Sequence, residues 1–265
     1  MSFELFRMTW KRNWLLIFII LAILIMYMSV MITMFDPKDM EALGSMLDML
    51  PKDMIKAFGL TNVITDLTSY LASWLYGMLM LAFPLVHNVV LGNRLVASMV
   101  DNGSFAYLLS TPTSRVKIIT TLGLYATFSV ALLFIGIFIS GVVLCSLFFP
   151  NALDITAFAA LNLTTMLVNW AIMMICFFCS CFFSDAKLSL GFGSGISIIM
   201  LLMNMLGNAS DAISFLRNFS LYGFYDPVAV AQGSNIIGIN LFYSILAIAL
   251  FISSITLFRH KRLSL

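Results

Sequence analysis

Charge is what this chain lacks. Only 10% of its 265 residues are Asp, Glu, Lys or Arg, against 62% hydrophobic, and the mean hydropathy is +1.04. A water-soluble domain of this length carries about 25% charged residues. So little charge cannot cover a surface of that size in water, so lipid is the expected solvent. The net charge of +2 gives no nucleic-acid signature, and no nucleic-acid partner is expected. No G-x-x-x-x-G-K-[ST] is present, so the chain has no phosphate loop with which to hold ATP. Neither an enzyme nor a resident cofactor is expected.

What is present is a set of long apolar runs. Six uncharged stretches reach the roughly 20 residues that a membrane-crossing helix needs, at about 14–35, 67–91, 118–149, 155–184, 188–210 and 228–258. They are far longer than the alternating strands of a β-barrel. The expectation is a single all-α integral membrane domain over 1–265. The first run has no small-residue cleavage site and reads as a retained span rather than a signal peptide.

The few cations are asymmetric. Arg7, Lys11, Arg12, Arg94, Arg115, Lys117, Lys187, Arg259, Lys261 and Arg262 fall on one side of this topology. Lys38, Lys52, Lys56 and Arg217 fall on the other, with nine acids that include Asp36, Asp39, Glu41, Asp48, Asp53 and Asp66. The positive-inside rule then places both termini in the cytoplasm of a multi-pass plasma-membrane protein.

The connecting segments carry their own patterns. Phe3, Phe6, Trp10 and Trp14 recur at helical spacing among Arg7, Lys11 and Arg12. They predict an interfacial helix lying on the membrane before the first span. Met40, Leu43, Leu47 and Leu50, then Met54, Ile55 and Phe58 after Pro51, predict two short amphipathic helices on the outer surface. The stretch 207–235, with "SFLRNFSLYGFYDP", predicts a short outer helix or re-entrant element before the last span.

Chemistry-bearing candidates are sparse. Ser194 in "GFGSGIS" superficially resembles a membrane-protease serine site, but Phe192 stands where that motif needs Gly, and no base lies nearby in sequence. Cys176, Cys179 and Cys181 read as small packing residues rather than a metal site, as no His or acid is near them in sequence. His87, Tyr and Cys aside, is the only ionisable side chain inside a span, and a hydrogen-bonded packing role is favoured for it. Ion-coupled carriers place ionisable groups along their path, and this chain has almost none. Tyr76, Asn88 and Asn204 are the polar candidates to line a cargo path. Their apolar surroundings suit an amphipathic or hydrophobic cargo, such as a membrane-active or antimicrobial peptide or a drug. Gly191 and Gly195 form a small-xxx-small pair that lets another helix approach closely.

Between the second and third spans lies "NRLVASMVDNGSFAYLLSTPTSRVKII". Asn102–Gly103 makes a turn, Phe105, Tyr107, Leu108 and Leu109 form an apolar cluster, and Pro112 ends the helix. Arg115 and Lys117 hold the next span at the interface. A short amphipathic helix on that side is a candidate plug for another protein's groove.

The run of a polar or acidic turn, a small residue, "YLLSTP", then "SR" and a basic residue resembles the ABC transporter type-2 permeases. The interfacial N-terminal helix, six spans, the outer element before the last span, and "MFDP" and "FGLTN" in the first outer loop resemble bacterial members. The family's acidic residues ahead of the loop are reduced here to Asp101. The resemblance implies a half-transporter permease of an exporter, working as a homodimer or with a sister permease over two copies of a cytoplasmic ATPase subunit, which would hold ATP and Mg. It implies that the loop is the coupling helix, with Asp101, Ser104, Phe105, Tyr107, Leu108, Leu109 and Arg115 facing the ATPase. A secondary carrier and a non-transporting membrane partner are the competing classes.

Overall fold

The computed structural model describes residues 2–36, 66–110, 113–209 and 211–261. The two expected outer helices over 40–58 lie outside these residues, as does Pro112. All regular structure among the described residues is helical. Helix α1 spans Phe3–Thr33, and α2, Leu67–Leu71, continues through a π-helical stretch at Ala72–Leu79 into α3, Met80–Leu95. Two short helices follow, α4 at Ala97–Asp101 and α5 at Ser104–Leu109. Then come α6, Arg115–Phe148, α7, Ile155–Phe182, and α8, Ala186–Ala209. Two 3-10 segments, Asp211–Phe219 and Leu221–Phe224, lead to the short α9, Pro227–Ala231, and finally α10, Ile237–His260.

Six of these segments are long and apolar enough to cross a membrane: Phe3–Thr33, Leu67–Asp101, Arg115–Phe148, Ile155–Phe182, Ala186–Asn208 and Ile237–His260. Four of the scarce acids serve as helix caps. Asp66, Asp154 and Asp226 accept backbone N–H bonds at the starts of α2, α7 and α9, and Asp185 accepts from Lys187 and Leu188 at the start of α8. Each satisfies donors that a helix start leaves free. Asn151, in the left-handed region at φ 65°, closes the turn between α6 and α7.

The core lies between α7 and its neighbours, and α7 is the most buried of the six. Gly92 of α3 permits close contact there, since a Cβ would sit 2.7 Å from the Cys176 Cβ. Backbone contacts gather one set of ends: Ala97 N–H donates to Ser180 Oγ at 2.8 Å, Arg115 to the Lys261 carbonyl at 2.9 Å, and Lys261 Nζ to the Cys181 carbonyl at 2.9 Å. The described cations other than Arg217 collect at this end. At the opposite end Asp154 N–H donates to Thr68 Oγ1, and Phe35 packs on Tyr70 and Phe149.

Three boundaries differ from expectation. The N-terminal segment is no separate interfacial helix but the first turns of α1. No Gly or Pro interrupts it, and Phe6 packs edge-on against Tyr125 and Phe128, with Trp10 on Phe128, holding it along α6. At about 1.5 Å per residue, such a helix exceeds the roughly 30 Å hydrocarbon core, so it projects beyond it without a bend. The second span runs on to Asp101. The sixth starts at Ile237 rather than near 228, because Gly233, at φ 84°, ends α9 and turns the chain.

The segment before α10 is built inward. Tyr222 and Tyr225 are buried, and Thr165, which bonds Tyr225, lies ten residues past the start of α7, about 15 Å along its axis. Arg217 holds the turn by donating to the Gly223 carbonyl at 2.7 Å, and Ser220 and Tyr243 tie it to α8 and α10. The stretch expected as a short outer helix or re-entrant element thus holds the short α9 together with 3-10 turns packed inward against α7, α8 and α10.

Candidate functional site

Two groups of side chains hold the candidate residues. The first is the segment α4–α5, in which α4 is largely buried and α5 reaches the surface. The chain bends after Leu95 at Val96 (φ −131°, ψ −65°), and the freed Ala97 N–H is capped by Ser180 of α7. Gly103, at φ 72°, separates α4 from α5 in a conformation that a side chain with a Cβ resists. Asn102 Oδ1 accepts from both the backbone N–H and the hydroxyl of Ser104, which fixes the turn.

This geometry divides the expected apolar cluster. Phe105 is fully buried, its ring 5.2 Å from that of Phe258 near the end of α10, and it anchors α5 to the bundle. Leu108 is partly buried against the core. Tyr107 is 79% exposed and points away from it, and Asp101 is exposed at the end of α4. Leu109 closes α5. Arg115 starts α6 and reaches the carbonyl of Lys261. Asp101 also borders a polar cleft of about 260 Å³ with Val100, Ser184 and Asp185 from the α7–α8 link. The exposed side chains here are Tyr107 on α5 and Asp101 at the end of α4, while Phe105 belongs to the interior.

The second group is a buried polar ladder between α3 and α7. Pro84 lies inside α3 and has no N–H, which leaves the carbonyl four residues earlier, that of Met80, without its helical donor. Asn169 of α7 supplies one, at 3.2 Å. Asn88 in turn donates to the Asn169 carbonyl at 3.1 Å and to its Oδ1 at 3.3 Å, and Asn88 Oδ1 meets His87 Nδ1 at 3.2 Å. One helical turn along α7, Thr165 donates to the Leu161 carbonyl, so the Tyr225 hydroxyl donates to Thr165 across 2.6 Å. Tyr76 donates to Asn162 Oδ1 at 3.1 Å, and Asn162 passes a bond to the Phe134 carbonyl of α6.

Of the three expected path residues, Tyr76 and Asn88 are thus enclosed at 0% exposure and clamp helices within this chain. Asn204 lies apart on α8, 5% exposed, its Oδ1 without a hydrogen-bond partner among the described residues. His87, expected to bond a neighbouring helix, instead meets the adjacent Asn88 of its own helix, and its buried Nε2 has no partner among the described residues. The cysteines are buried and free, and no metal-binding group of His, Cys, Asp or Glu occurs among the described residues.

Asn162, Thr165 and Asn169 were not singled out in the sequence, yet they carry the ladder. Their spacing of three and four residues puts them on one face of α7, and a polar stripe in an apolar helix is a readable signal. Ser180 gave no such signal, because its role depends on a bend in another helix.

Comparison with protein families, with characterised proteins and with solved structures returns no match to this chain. The class that the fold itself defines is a protein whose described residues are all-helical in regular structure and hold six helices long and apolar enough to span a bilayer.

Proposed function

We propose that this chain is the membrane-spanning permease subunit of an ATP-driven exporter, and that α5 is the element through which a separate cytoplasmic ATPase moves it. The observation that carries this reading is the build of α5. It is a short surface helix at the cation-rich end, with Tyr107 exposed, and it is fastened through buried Phe105 to Phe258 at the end of α10. A load applied at Tyr107 reaches a spanning helix through one aromatic contact. Two copies of the chain, or one with a sister permease, would pair over two ATPase subunits, which hold the ATP and Mg. Both termini lie in the cytoplasm in this reading. The cargo is amphipathic or hydrophobic, in keeping with the apolar spans.

The test is co-purification in detergent with the ATPase encoded beside this chain. Tyr107→Asp places a charge in the proposed contact, where burial without a partner costs several kcal/mol. Recovery of the ATPase should fall at least about tenfold, the equivalent of roughly 1.4 kcal/mol, while the yield of folded chain is unchanged. Full recovery with Tyr107→Asp and with Asp101→Lys would remove α5 from the docking role.

A further inference from the structure

A groove of about 650 Å³ opens between the ends of α7 and α10, at the cation-rich end of the molecule. Its floor is apolar: Phe178 and Phe182 stack with ring centroids 6.4 Å apart, and Leu257 lies opposite. Its rim is polar and basic, made by Thr256, His260 and Lys261. The half-buried Lys261 ammonium gives one bond to the Cys181 carbonyl, which leaves donors over. No ion pair reaches it from a carboxylate among the described residues, and burial pulls its pKa below the usual lysine range. Among the described residues that cation has no counter-charge, its other close neighbour being the face of the Phe258 ring at 5.8 Å.

We propose that this groove binds an anionic phospholipid of the leaflet facing the cation-rich end, with its phosphate at Lys261 and His260 and an acyl chain along Phe178, Phe182 and Leu257. Charge complementarity selects the ligand. A free anion would leave the apolar floor open to water, and a zwitterionic lipid would bring its own cation to a basic rim. Basic recesses between spanning helices favour anionic head groups for these reasons. The inference stands apart from the transport proposal, because it needs only a membrane and this groove.

The experiment is native mass spectrometry of the detergent-solubilised full chain, titrated with phosphatidylglycerol or phosphatidylcholine of matched acyl length. Phosphatidylglycerol should be retained at least fivefold more than phosphatidylcholine. The double variant Thr256→Trp/His260→Glu, which alters two exposed side chains, should bring the two lipids to parity. Lys261 is left intact because it also holds the end of α7. An excess of soluble glycerol phosphate should not displace the lipid. Equal retention of both lipids by the unaltered chain, or undiminished preference in the variant, would overturn the proposal. Displacement by glycerol phosphate would reduce the site to one for free anions. A change in oligomer mass in the variant without loss of lipid would make the groove an interface between copies instead.

Discussion

Pro84 removes one backbone donor from the second spanning segment, and Asn169 supplies a substitute from the fourth. In hydrocarbon an unsatisfied carbonyl has no water to turn to, so this exchange fixes the two helices in register. Asn169→Leu should destabilise the chain by about 1–3 kcal/mol, the usual penalty for orphaning a buried hydrogen-bonding group. Adding Pro84→Ala restores an N–H for Met80 and should recover part of that loss, whereas two unrelated sites would add their effects. Thermal unfolding of the single and double variants in detergent measures the difference. Additive destabilisation would show that the bond does not couple the helices. The polar residues of this ladder were visible in the sequence, but their partners were not. A donor vacancy at Met80 can be read from Pro84 alone, whereas the helix that fills it depends on packing.

Among elements, the short α4–α5 pair is the least self-sufficient. Six residues cannot hold a helix by propensity, so α5 persists because Phe105 is buried and because Ser180 and Gly103 set the angles on either side of the preceding α4. Phe105→Ala should loosen the segment, with faster amide exchange over 97–110 and a loss of about 3 kcal/mol from the vacated site. Tyr107→Ala should leave exchange in that segment unchanged. Comparable protection in the Phe105→Ala protein would break the link between α5 and α10. The sequence marked this element correctly as a short helix bounded by a turn. It could not separate anchor from exposed face, since Phe105 and Tyr107 are equally apolar in pattern and differ only in which neighbour lies beneath. The start of the last span was misplaced for a similar reason. Val228–Ala231 is as apolar as a span, and only the positive φ of Gly233 turns the chain before the true one begins.

At the scale of the whole molecule, the division of charge and the division of structure coincide. The loop regions around 94–117, 183–187 and 259–261 meet at one end, and Asp66, Asp154 and Asp226 cap helices that begin toward the other. Long apolar runs made the six helices legible, because bilayer thickness sets their length. Which membrane side each end faces rests on the cation count alone. Single cysteines at Ser114 and Ser234 decide it, in a chain whose native cysteines are all buried. A membrane-impermeant thiol reagent applied to intact cells should label the Ser234 site and spare the Ser114 site. The reverse pattern would invert the molecule and withdraw α5 from the cytoplasm. The proposed energy source has its own check. Transport that survives ATP depletion but collapses with the proton gradient would replace the exporter reading with that of a carrier.

The π-helical stretch at Ala72–Leu79 sets the phase of everything that follows it in the second span. Such a stretch carries a residue more than an α-helix of the same turn, and each residue of an α-helix advances about 100° around the axis. Deleting Gly77 should therefore let the stretch relax to α-helix with that phase kept, whereas one alanine inserted after Leu79, where the helix is α again, should swing the far half of the span by that angle, as a key turns in a lock. His87 and Asn88 would then leave the face of α7, and the Pro84 gap would open toward a neighbour with nothing to offer it. The chain with the added alanine should still enter the membrane, since its hydropathy is barely altered, and yet its unfolding temperature should drop by more than any single replacement in the ladder achieves.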